Sequence, residues 1–276
     1  MKLCDSLELE SFLRKHSLKP DHALGQNFLV DEEILQKIVD AAELKDSDEV
    51  IEIGAGVGTL TRELAGRSRA VTALEFDRNI FPVLQENLKG LTNVDLQNLD
   101  VRKFTPPARD YKLVANIPYY LTSPILRQFF VETMIRPSLA VLLVQREVAE
   151  KICDPQKLSV LALEVKIFAD PEIVEIVKAE SFLPSPKVDS AILKIVSRQQ
   201  AAVSEKDLPD FFQIMHAGFH SPRKKIRGSF ASGLPQKKEV AEQILEDAGI
   251  NLEKRPEDLE IEDWRKILTA YRGLVN

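Results

Sequence analysis

Short apolar runs alternate with helix-like patterns between residues 48 and 196, and this alternation constrains the fold more than any other feature. The four runs interpreted as strands of a parallel sheet are residues 50–53, 70–75, 113–116 and 139–145. Each is apolar nearly throughout, which is typical of strands that are covered by helices on both faces. Two later runs, 173–177 and 191–196, are expected to pair antiparallel at the far edge. The pattern predicts an α/β fold with a Rossmann-like sheet.

The sequence changes character near Arg198, where a polar segment without a strand pattern begins. Beyond it, large apolar side chains recur at helical spacing over residues 208–219, and a second helix is predicted over 240–248, where a glycine follows. We therefore expect two domains, residues 1–198 for the sheet and 199–276 for a small helical domain.

The net charge is a weak guide to the partners of this chain. The formal charge is -6, yet residues 239–263 hold ten acidic and two basic side chains, a local charge of -8. The remainder therefore sums to +2, so the overall charge does not exclude a nucleic-acid partner.

Cysteine usage and hydropathy point to an intracellular protein. Cys4 and Cys153 belong to no CxxC pattern, so we expect reduced thiols and no metal cluster. Residues 1–16 alternate charges where a signal peptide needs an apolar core. The longest apolar run, 139–144, is too short to cross a bilayer. We therefore expect a soluble cytoplasmic protein without membrane contact.

A strand, a glycine-rich turn and the start of a helix follow one another over residues 50–60. Gly54, Gly56 and Gly58 have GxGxG spacing, whereas the dinucleotide-binding fingerprint has GxGxxG. Glycines allow the backbone to turn tightly and to approach a ligand where a Cβ atom would clash. Taken alone, the motif is explained equally well by a tight strand-to-helix turn that binds nothing.

Two acidic residues follow later strands in the order that a nucleoside cofactor requires. Glu75 ends a strand 21 residues after Gly54, where a carboxylate can accept hydrogen bonds from both ribose hydroxyls. Asp100 is placed to accept from an adenine amine. An ordinary strand-end carboxylate and a helix cap are the alternatives for these two residues. Together with the glycine spacing, they predict an adenosine-containing cofactor, S-adenosyl-L-methionine rather than NAD.

The tetrapeptide Asn116-Ile117-Pro118-Tyr119 directly follows a strand, so it is expected beside the cofactor at the carboxyl edge of the sheet. The N6 lone pair of adenine is delocalised into the ring and is a poor nucleophile. The Asn116 side-chain oxygen and the Ile117 carbonyl, directed by Pro118, can accept both amine hydrogens and draw N6 toward a tetrahedral form. Tyr119 offers a face on which an extruded base stacks. For the tetrapeptide alone, a strand-terminating turn is the alternative.

With these motifs in place, the chain resembles the small-subunit ribosomal RNA adenine dimethyltransferase family. The motifs that carry the resemblance are, in order, Leu24-Gly-Gln-Asn27-Phe-Leu29, Glu52-Ile-Gly-Ala-Gly-Val-Gly58, Glu75-Phe-Asp77, Asn116-Ile-Pro-Tyr119, Gln145-Arg-Glu-Val-Ala149 and Phe182-Leu-Pro-Ser-Pro-Lys-Val-Asp-Ser190. They span roughly two-thirds of the chain in the correct order. Ala55 departs from the proline that is common in the family, a change that should leave the turn intact.

The resemblance implies a methyltransferase sheet with an N-terminal lid up to about residue 30, followed by a helical RNA- or ribosome-binding domain. It implies S-adenosyl-L-methionine as methyl donor and, as substrate, two adjacent adenines in a hairpin near the 3′ end of small-subunit (16S) RNA. The expected partner is the immature small ribosomal subunit, and the expected state is a monomer. Residues expected at the cofactor are Asn27, Leu29, Gly54, Gly56, Glu75, Asp100 and Asn116. Residues expected at the target base are Asn116, Pro118, Tyr119 and Phe182.

Residues 223–227 hold four positive charges without an acidic neighbour in the sequence. These are Arg223, Lys224, Lys225 and Arg227. We expect phosphate contacts and salt-sensitive RNA binding, with a solvated basic loop as the alternative. His216 and His220 have the spacing of metal ligands on a helix, but no third ligand accompanies them, so no metal is expected.

Three other functions are compatible with parts of the pattern. Resistance methylases carry the same tetrapeptide and act on large-subunit RNA, but Leu24-Gly25 and the long helical tail favour the small-subunit enzyme. DNA adenine methylases usually have a second proline in the tetrapeptide and a larger recognition region. A ribosome-assembly factor that keeps the fold without catalysis is disfavoured by the intact Glu75, Asp100 and Asn116.

Overall fold

The computed structural model describes residues 3–21 and 24–275. The chain divides into two compact units. The first holds the described residues of Met1–Glu150 together with Asp170–Ser197, and the second holds those of Lys151–Ala169 and Arg198–Asn276. The first unit thus ends at Ser197, next to the boundary expected near residue 198, and the helices that follow belong to the second unit. Residues 151–169 belong to the helical unit, whereas the sequence pattern predicts them in the sheet domain.

The first unit contains the sheet. Its strands are β1 (Phe28–Leu29), β2 (Glu49–Ile53), β3 (Ala70–Glu75), β4 (Val94–Asn98), β5 (Lys112–Asn116), β6 (Leu139–Gln145), β7 (Ala169–Val177), β8 (Phe182–Leu183) and β9 (Ser190–Ser197). The α-helices that begin in this unit are α1 (Ser6–Lys15), α2 (Glu32–Ala41), α3 (Thr59–Ala65), α4 (Phe81–Asn87), α5 (Thr122–Leu126) and α6 (Arg146–Cys153). The unit also contains short 3-10 helices at Val101–Lys103, Tyr119–Leu121 and Ala179–Ser181 and a π-helix at Arg127–Val131. The six predicted strands are confirmed to within a few residues.

Seven of the described strands form one sheet in the order β4-β3-β2-β5-β6-β9-β7. The pairs from β4 to β6 are parallel, and β9 runs antiparallel to β6. The chain leaves β2 toward β4 on one side and returns to β5 on the other. This reversal of strand order opens a crevice between the carboxyl ends of β2 and β5, which is where ligands bind in open α/β sheets. The predicted Rossmann-like fold is confirmed.

Helices α2, α3 and α4 pack on one face of the sheet through Ile38, Leu64 and Leu84, which are all fully buried. Successive side chains of a strand point to opposite faces. In β6, every residue from Leu139 to Val144 is buried, so both faces of the sheet are covered. This explains why β6 is apolar from Leu139 to Val144 instead of alternating.

The second unit is helical. Its helices are α7 (Val160–Lys166), α8 (Leu208–Gly218), α9 (Ile226–Gly233), α10 (Lys238–Asp247) and α11 (Ile261–Val275). Its core is built around Trp264, whose ring stacks on Phe219 at a centroid distance of 5.5 Å. The Leu158 backbone N–H donates to the Glu257 carbonyl at 2.8 Å, a contact that helps to hold residues 151–169 in this unit. The predicted small helical region is confirmed.

Across the described part of the chain, no helix combines the length and the apolar character needed to span a membrane.

Candidate active site

A cleft of about 940 Å³, including the space that is open to solvent, lies at the carboxyl ends of β2, β3 and β5. It brings together eight residues that the sequence predicted, namely Asn27, Gly54, Gly56, Glu75, Asp100, Asn116, Pro118 and Tyr119. They come from five separate segments of the chain, and the parallel strands align their ends at one edge of the sheet. Two further predicted residues, Leu29 and Phe182, do not line this cleft.

The glycine turn allows the strands to meet closely at the floor of the cleft. Gly54 has φ +76° and donates its N–H to the Leu74 carbonyl at 2.9 Å. A Cβ atom on Gly54 would lie 3.2 Å from the backbone oxygen of Asn116. Gly56 has φ +57°, and its Cβ would lie 3.2 Å from the Phe28 ring. Both glycines are therefore required by backbone conformation and by close approach.

Glu75 is buried beside this turn, and the backbone fixes its carboxylate. Oε2 accepts from the Gly56 N–H at 2.8 Å, and Oε1 accepts from the Asp77 N–H at 2.7 Å. Burial raises the pKa of Glu75, and these two backbone hydrogen bonds oppose that rise. The side chain is held as a preorganised acceptor at the cleft wall. That arrangement suits the paired hydroxyls of a ribose.

Asp100 also lines the cleft and caps the helix Val101–Lys103. Its carboxylate accepts from the Arg102 backbone N–H at 3.0 Å and from the Arg102 guanidinium at 2.6 Å. The guanidinium lowers the pKa of Asp100. The capping alternative therefore holds, while contact with an adenine amine stays a prediction. A carboxylate has about four lone-pair directions, so the two functions are compatible.

Asn116 is oriented by the N-terminal segment. Its Nδ2 donates to the backbone carbonyl of Asn27 at 3.1 Å. The side chain of Asn27 in turn donates to the carbonyl of Gly25 at 3.2 Å. With the amide nitrogen engaged in this way, Oδ1 is the acceptor that Asn116 can offer to a substrate amine.

Tyr119 is half-buried and is held by one hydrogen bond. Its hydroxyl lies 2.7 Å from Oγ of Ser190, at the start of β9. Burial raises the pKa of Tyr119, so the phenol stays neutral and its ring is a flat, uncharged surface at the cleft.

Phe182 and Leu29 are partners in the two-stranded pairing of β1 with β8. Phe182 is only 4% exposed and packs in the same core cluster as Leu29 and Val177. Leu29 lines a smaller cavity behind the glycine turn, together with Phe28 and Glu52. The ring of Phe182 is therefore packed away from the cleft, because the antiparallel pairing turns it toward the core.

Several residues that line the cleft were not predicted as site residues from the sequence. Phe76 and Tyr120 are 54% and 57% exposed on its walls, where they offer flat faces to a planar ring. Asp77 accepts from Nε2 of Gln26 at 2.8 Å, which attaches the N-terminal segment to the end of β3. Phe76 and Asp77 belong to a motif used for the family resemblance, so position within that motif was the available signal.

Glu52 is a second buried acid close to the cofactor wall. It lies within β2, and burial raises the pKa of its carboxyl to about 8, with a further rise from the nearby charge of Glu75. Its Oε2 is without a hydrogen-bond partner among the described residues. The carboxyl of Glu52 is therefore protonated at neutral pH in the folded protein.

In the helical unit, the basic segment is only partly free of acidic neighbours. Lys225 pairs with Glu253, and Nε of Arg227 lies 3.7 Å from Oε1 of Glu242. The sequence suggested a loop without acids, but folding brings these two carboxylates to it from α10 and from the segment before α11. Arg223 and Lys224 are exposed. Among the described residues, no group of three His, Cys, Asp or Glu side chains is arranged to hold a metal ion.

Comparisons with known proteins show the family to which this chain belongs. The family model for ribosomal RNA adenine dimethylase matches residues 18–272. Ribosomal RNA small subunit methyltransferase A of Dehalococcoides mccartyi (strain CBDB1) is 39% identical over 272 residues, covering 96% of this chain and 93% of that protein. The protein of the same name from Bacillus pumilus (strain SAFR-032) is 34% identical, covering 95% and 94%.

Two solved structures are similar along almost their whole length. A dimethyladenosine transferase from Plasmodium falciparum has a TM-score of 0.77 and 27% identity, covering 89% of this chain and 98% of that one. The 23S rRNA methyltransferase ErmE has a TM-score of 0.74 and 30% identity, covering 88% and 99%. Since the family model spans nearly the entire sequence and the relatives match end to end, this chain belongs to the ribosomal RNA adenine dimethylase family, whose members are methyltransferases that use S-adenosyl-L-methionine.

Proposed function

We propose that this chain transfers methyl groups from S-adenosyl-L-methionine to N6 of two adjacent adenosines in the 3′-terminal hairpin of 16S rRNA, giving N6,N6-dimethyladenosines. Family membership and the names of the relatives support the substrate class. The observation that carries the chemistry is the fixed amide of Asn116, which presents an acceptor at the edge of the glycine-floored cleft.

The chain has residues that suit each part of the cofactor. Gly54 and Gly56 leave space at the floor that a Cβ atom would fill, Glu75 is a preorganised acceptor for the ribose, and Phe76 offers a face for the adenine. Asp100 lines the same cleft and would accept from the adenine amine. When bound, S-adenosyl-L-methionine supplies an activated methyl group on its sulfonium.

The target amine is activated by position and not by a strong base. Oδ1 of Asn116 and the carbonyl of Ile117 accept the two N6 hydrogens, which draws N6 toward a tetrahedral form and directs its lone pair. The ring of Tyr119, held by Ser190, is the surface on which the extruded base stacks. Once methylated, the amine is cationic and acidic, and it loses its proton without a dedicated base.

Phe182 and Leu29 are paired with each other in β8 and β1, away from the cleft, so each needs its own role in this proposal. For Phe182 to form a second wall against the base, its ring has to turn out of the core when RNA enters, because only 4% of it is exposed here. Leu29 contributes behind the glycine turn, where it lines the smaller cavity. Met1, Lys2, His22 and Ala23, which belong to the predicted lid, lie outside the described residues.

We further propose that the substrate particle is the immature small ribosomal subunit and that the protein acts in the cytoplasm as a monomer. The helical unit would contribute to RNA binding through Arg223 and Lys224, which are exposed and make no ion pair among the described residues of the basic segment. Lys225 and Arg227 would need to exchange Glu253 and Glu242 for phosphates, so their contribution to affinity should be smaller.

Methylation of large-subunit RNA is the second candidate, because ErmE is 30% identical. The small-subunit relatives are 34% and 39% identical and match a larger share of this chain, which favours small-subunit RNA. The two activities separate when the protein and labelled S-adenosyl-L-methionine are incubated with immature small subunits, naked large-subunit RNA or DNA. We expect label at two adjacent adenosines of the small-subunit hairpin. Label confined to large-subunit RNA or DNA would refute the substrate.

A further inference from the structure

We propose that a groove next to the active-site cleft holds the unpaired RNA strand beside the target adenine. This inference rests on the proposed function and deepens it. The groove, called here the strand groove, is formed on one side by the loop of Pro106 and Pro107 and on the other by Pro124, Arg127 and Met134. Arg102 lines both the cleft and the strand groove, so the two cavities meet at this side chain.

The walls of the strand groove are tied together in the protein. Nε2 of Gln128, within the π-helix Arg127–Val131, donates to the carbonyls of Val101 and Phe104, each at 2.8 Å. These two bonds join the helix wall to the start of the proline loop. A groove with fixed walls needs little reordering when a ligand enters, which favours binding.

The rim of the strand groove presents an apolar side chain on an ordered loop. Met134 is 78% exposed. Its loop is held where Oγ1 of Thr133 donates to the carbonyl of Ile135 at 3.0 Å and the Tyr111 hydroxyl donates to the same oxygen at 3.3 Å. Met134 therefore adds an ordered apolar side chain to the rim of the strand groove, against which a base can pack.

At the junction with the cleft, an aromatic and a cationic side chain come together. Tyr120 directly follows the tetrapeptide and is exposed on the cleft wall, and the guanidinium of Arg102 is held by Asp100. A base next to the extruded adenine could stack on Tyr120 while Arg102 contacts the phosphate between the two nucleotides.

The chemistry of the strand groove fits single-stranded RNA. Proline and methionine surfaces pack against base faces, and Arg127 adds a second positive charge at the helix wall. Among the residues that line the strand groove, Glu132 is acidic, and it lies two residues before Met134 in the sequence. The flanking nucleotides must be unpaired where the adenine is extruded, so a stacking groove beside the cleft is where they would lie.

The first test measures binding of a short fluorescent single-stranded RNA that contains two adjacent adenosines, in the presence of S-adenosyl-L-methionine. Arg127→Ala should weaken binding about tenfold at low salt and reduce the slope of log K against log salt by roughly one phosphate contact. Arg67→Ala is the control, since Arg67 is a partly exposed arginine that pairs with Asp40, lies before the amino-terminal end of β3 and does not line the strand groove. Equal affinities and equal salt slopes for the two variants would overturn the inference.

The second test uses a photo-crosslinking amino acid in place of Met134, which is exposed enough for the fold to tolerate the change. After illumination with immature small subunits, we expect crosslinks to nucleotides adjacent to the target adenosines. Crosslinks only to ribosomal protein, or none, would contradict an RNA strand in the strand groove. Methylation of the same subunits by the unmodified protein is measured in parallel. The proposed function fails if that methylation is absent, whereas the inference alone fails if methylation occurs without RNA crosslinks.

Discussion

The side-chain amide of Asn116 donates a hydrogen bond of 3.1 Å to the backbone carbonyl of Asn27, across 89 residues of sequence. This contact joins the tetrapeptide to the N-terminal segment that covers the cleft. It also fixes which end of the amide is available to a substrate, because Nδ2 is engaged and Oδ1 is left as the acceptor. The same hydrogen bond therefore holds the N-terminal segment over the cleft and orients the amide of Asn116.

Replacement of Asn116 by alanine tests this relationship. Asn116→Ala removes an acceptor that is needed mainly in the transition state, so we expect kcat to fall by roughly a hundredfold or more while cofactor affinity falls only a few-fold. Hydrogen exchange in residues 24–29 should accelerate as well, because their link to β5 is lost. Single-turnover methylation, calorimetry and exchange measure the three effects. Turnover near that of the unaltered protein would refute the positioning role of Asn116.

The glycine turn can be tested with a matched pair of substitutions. Gly56→Ala imposes φ +57° on an L-residue and places a Cβ atom 3.2 Å from the Phe28 ring. Gly90→Ala also imposes a positive φ, +98°, but its Cβ meets nothing within 4 Å. Each should lower the free energy of unfolding by about 1–2 kcal/mol. Only Gly56→Ala should also weaken cofactor binding, by about tenfold, and equal cofactor affinities would contradict the close approach at Gly56.

Glu52 predicts a pH dependence of stability. Burial raises the pKa of this carboxyl from 4.5 to about 8, so between these values the folded state holds a proton that the unfolded state has released. The contribution of Glu52 to the free energy of unfolding is fully present below pH 4.5 and is lost as the pH rises toward about 8. Glu52→Gln stays neutral and should therefore gain relative stability with pH, by up to about 1.4 kcal/mol per unit.

Urea unfolding of both proteins without cofactor, at several pH values across this window, measures the effect of Glu52. Glu75, whose pKa burial also raises, is present in both proteins and largely cancels in the difference. A difference in the free energy of unfolding that does not change with pH would show that Glu52 ionises normally in the folded state.

The helical unit offers a second matched pair. A Cβ atom on Gly218 would lie 2.3 Å from the buried ring of Trp264, whereas one on Gly228 in α9 would meet nothing within 4 Å. Gly218→Ala should therefore destabilise the protein by about 1–3 kcal/mol through overpacking. Gly228→Ala should be neutral or stabilise by up to about 1 kcal/mol, because alanine favours helix more than glycine does. Thermal unfolding checks both, and two effects of the same sign and size would contradict the packing at Trp264.

Much of the sheet and of the cleft was predictable from local sequence. Strands that are buried on both faces are apolar at nearly every position, and that pattern is visible without a structure, as in β6. Gly54, Glu75 and Asn116 each follow or end such a strand, and parallel strands bring their carboxyl ends to one edge. Their proximity is therefore a consequence of topology that the order of motifs already implies.

Contacts that depend on pairing between distant segments could not be obtained in this way. The ring of Phe182 is buried because β8 pairs with β1, and Lys225 has an acidic neighbour because Glu253 folds back to it. Neither partner is marked by its own sequence neighbourhood. The placement of residues 151–169 in the helical unit likewise depends on contacts such as that of Leu158 with Glu257.

The sequence by itself determined the fold class, the family and eight of the residues that line the cleft, because periodicity and residue type act locally along each strand and turn. Only the tertiary structure decided how those groups are oriented: that Asn116 donates to Asn27, that the carboxylate of Glu75 is held by the N–H of Gly56, and that Arg102 stands where the cleft meets the strand groove. Orientation arises from hydrogen bonds between segments far apart in the chain, and these exist only when the whole sheet and its covering segment have assembled.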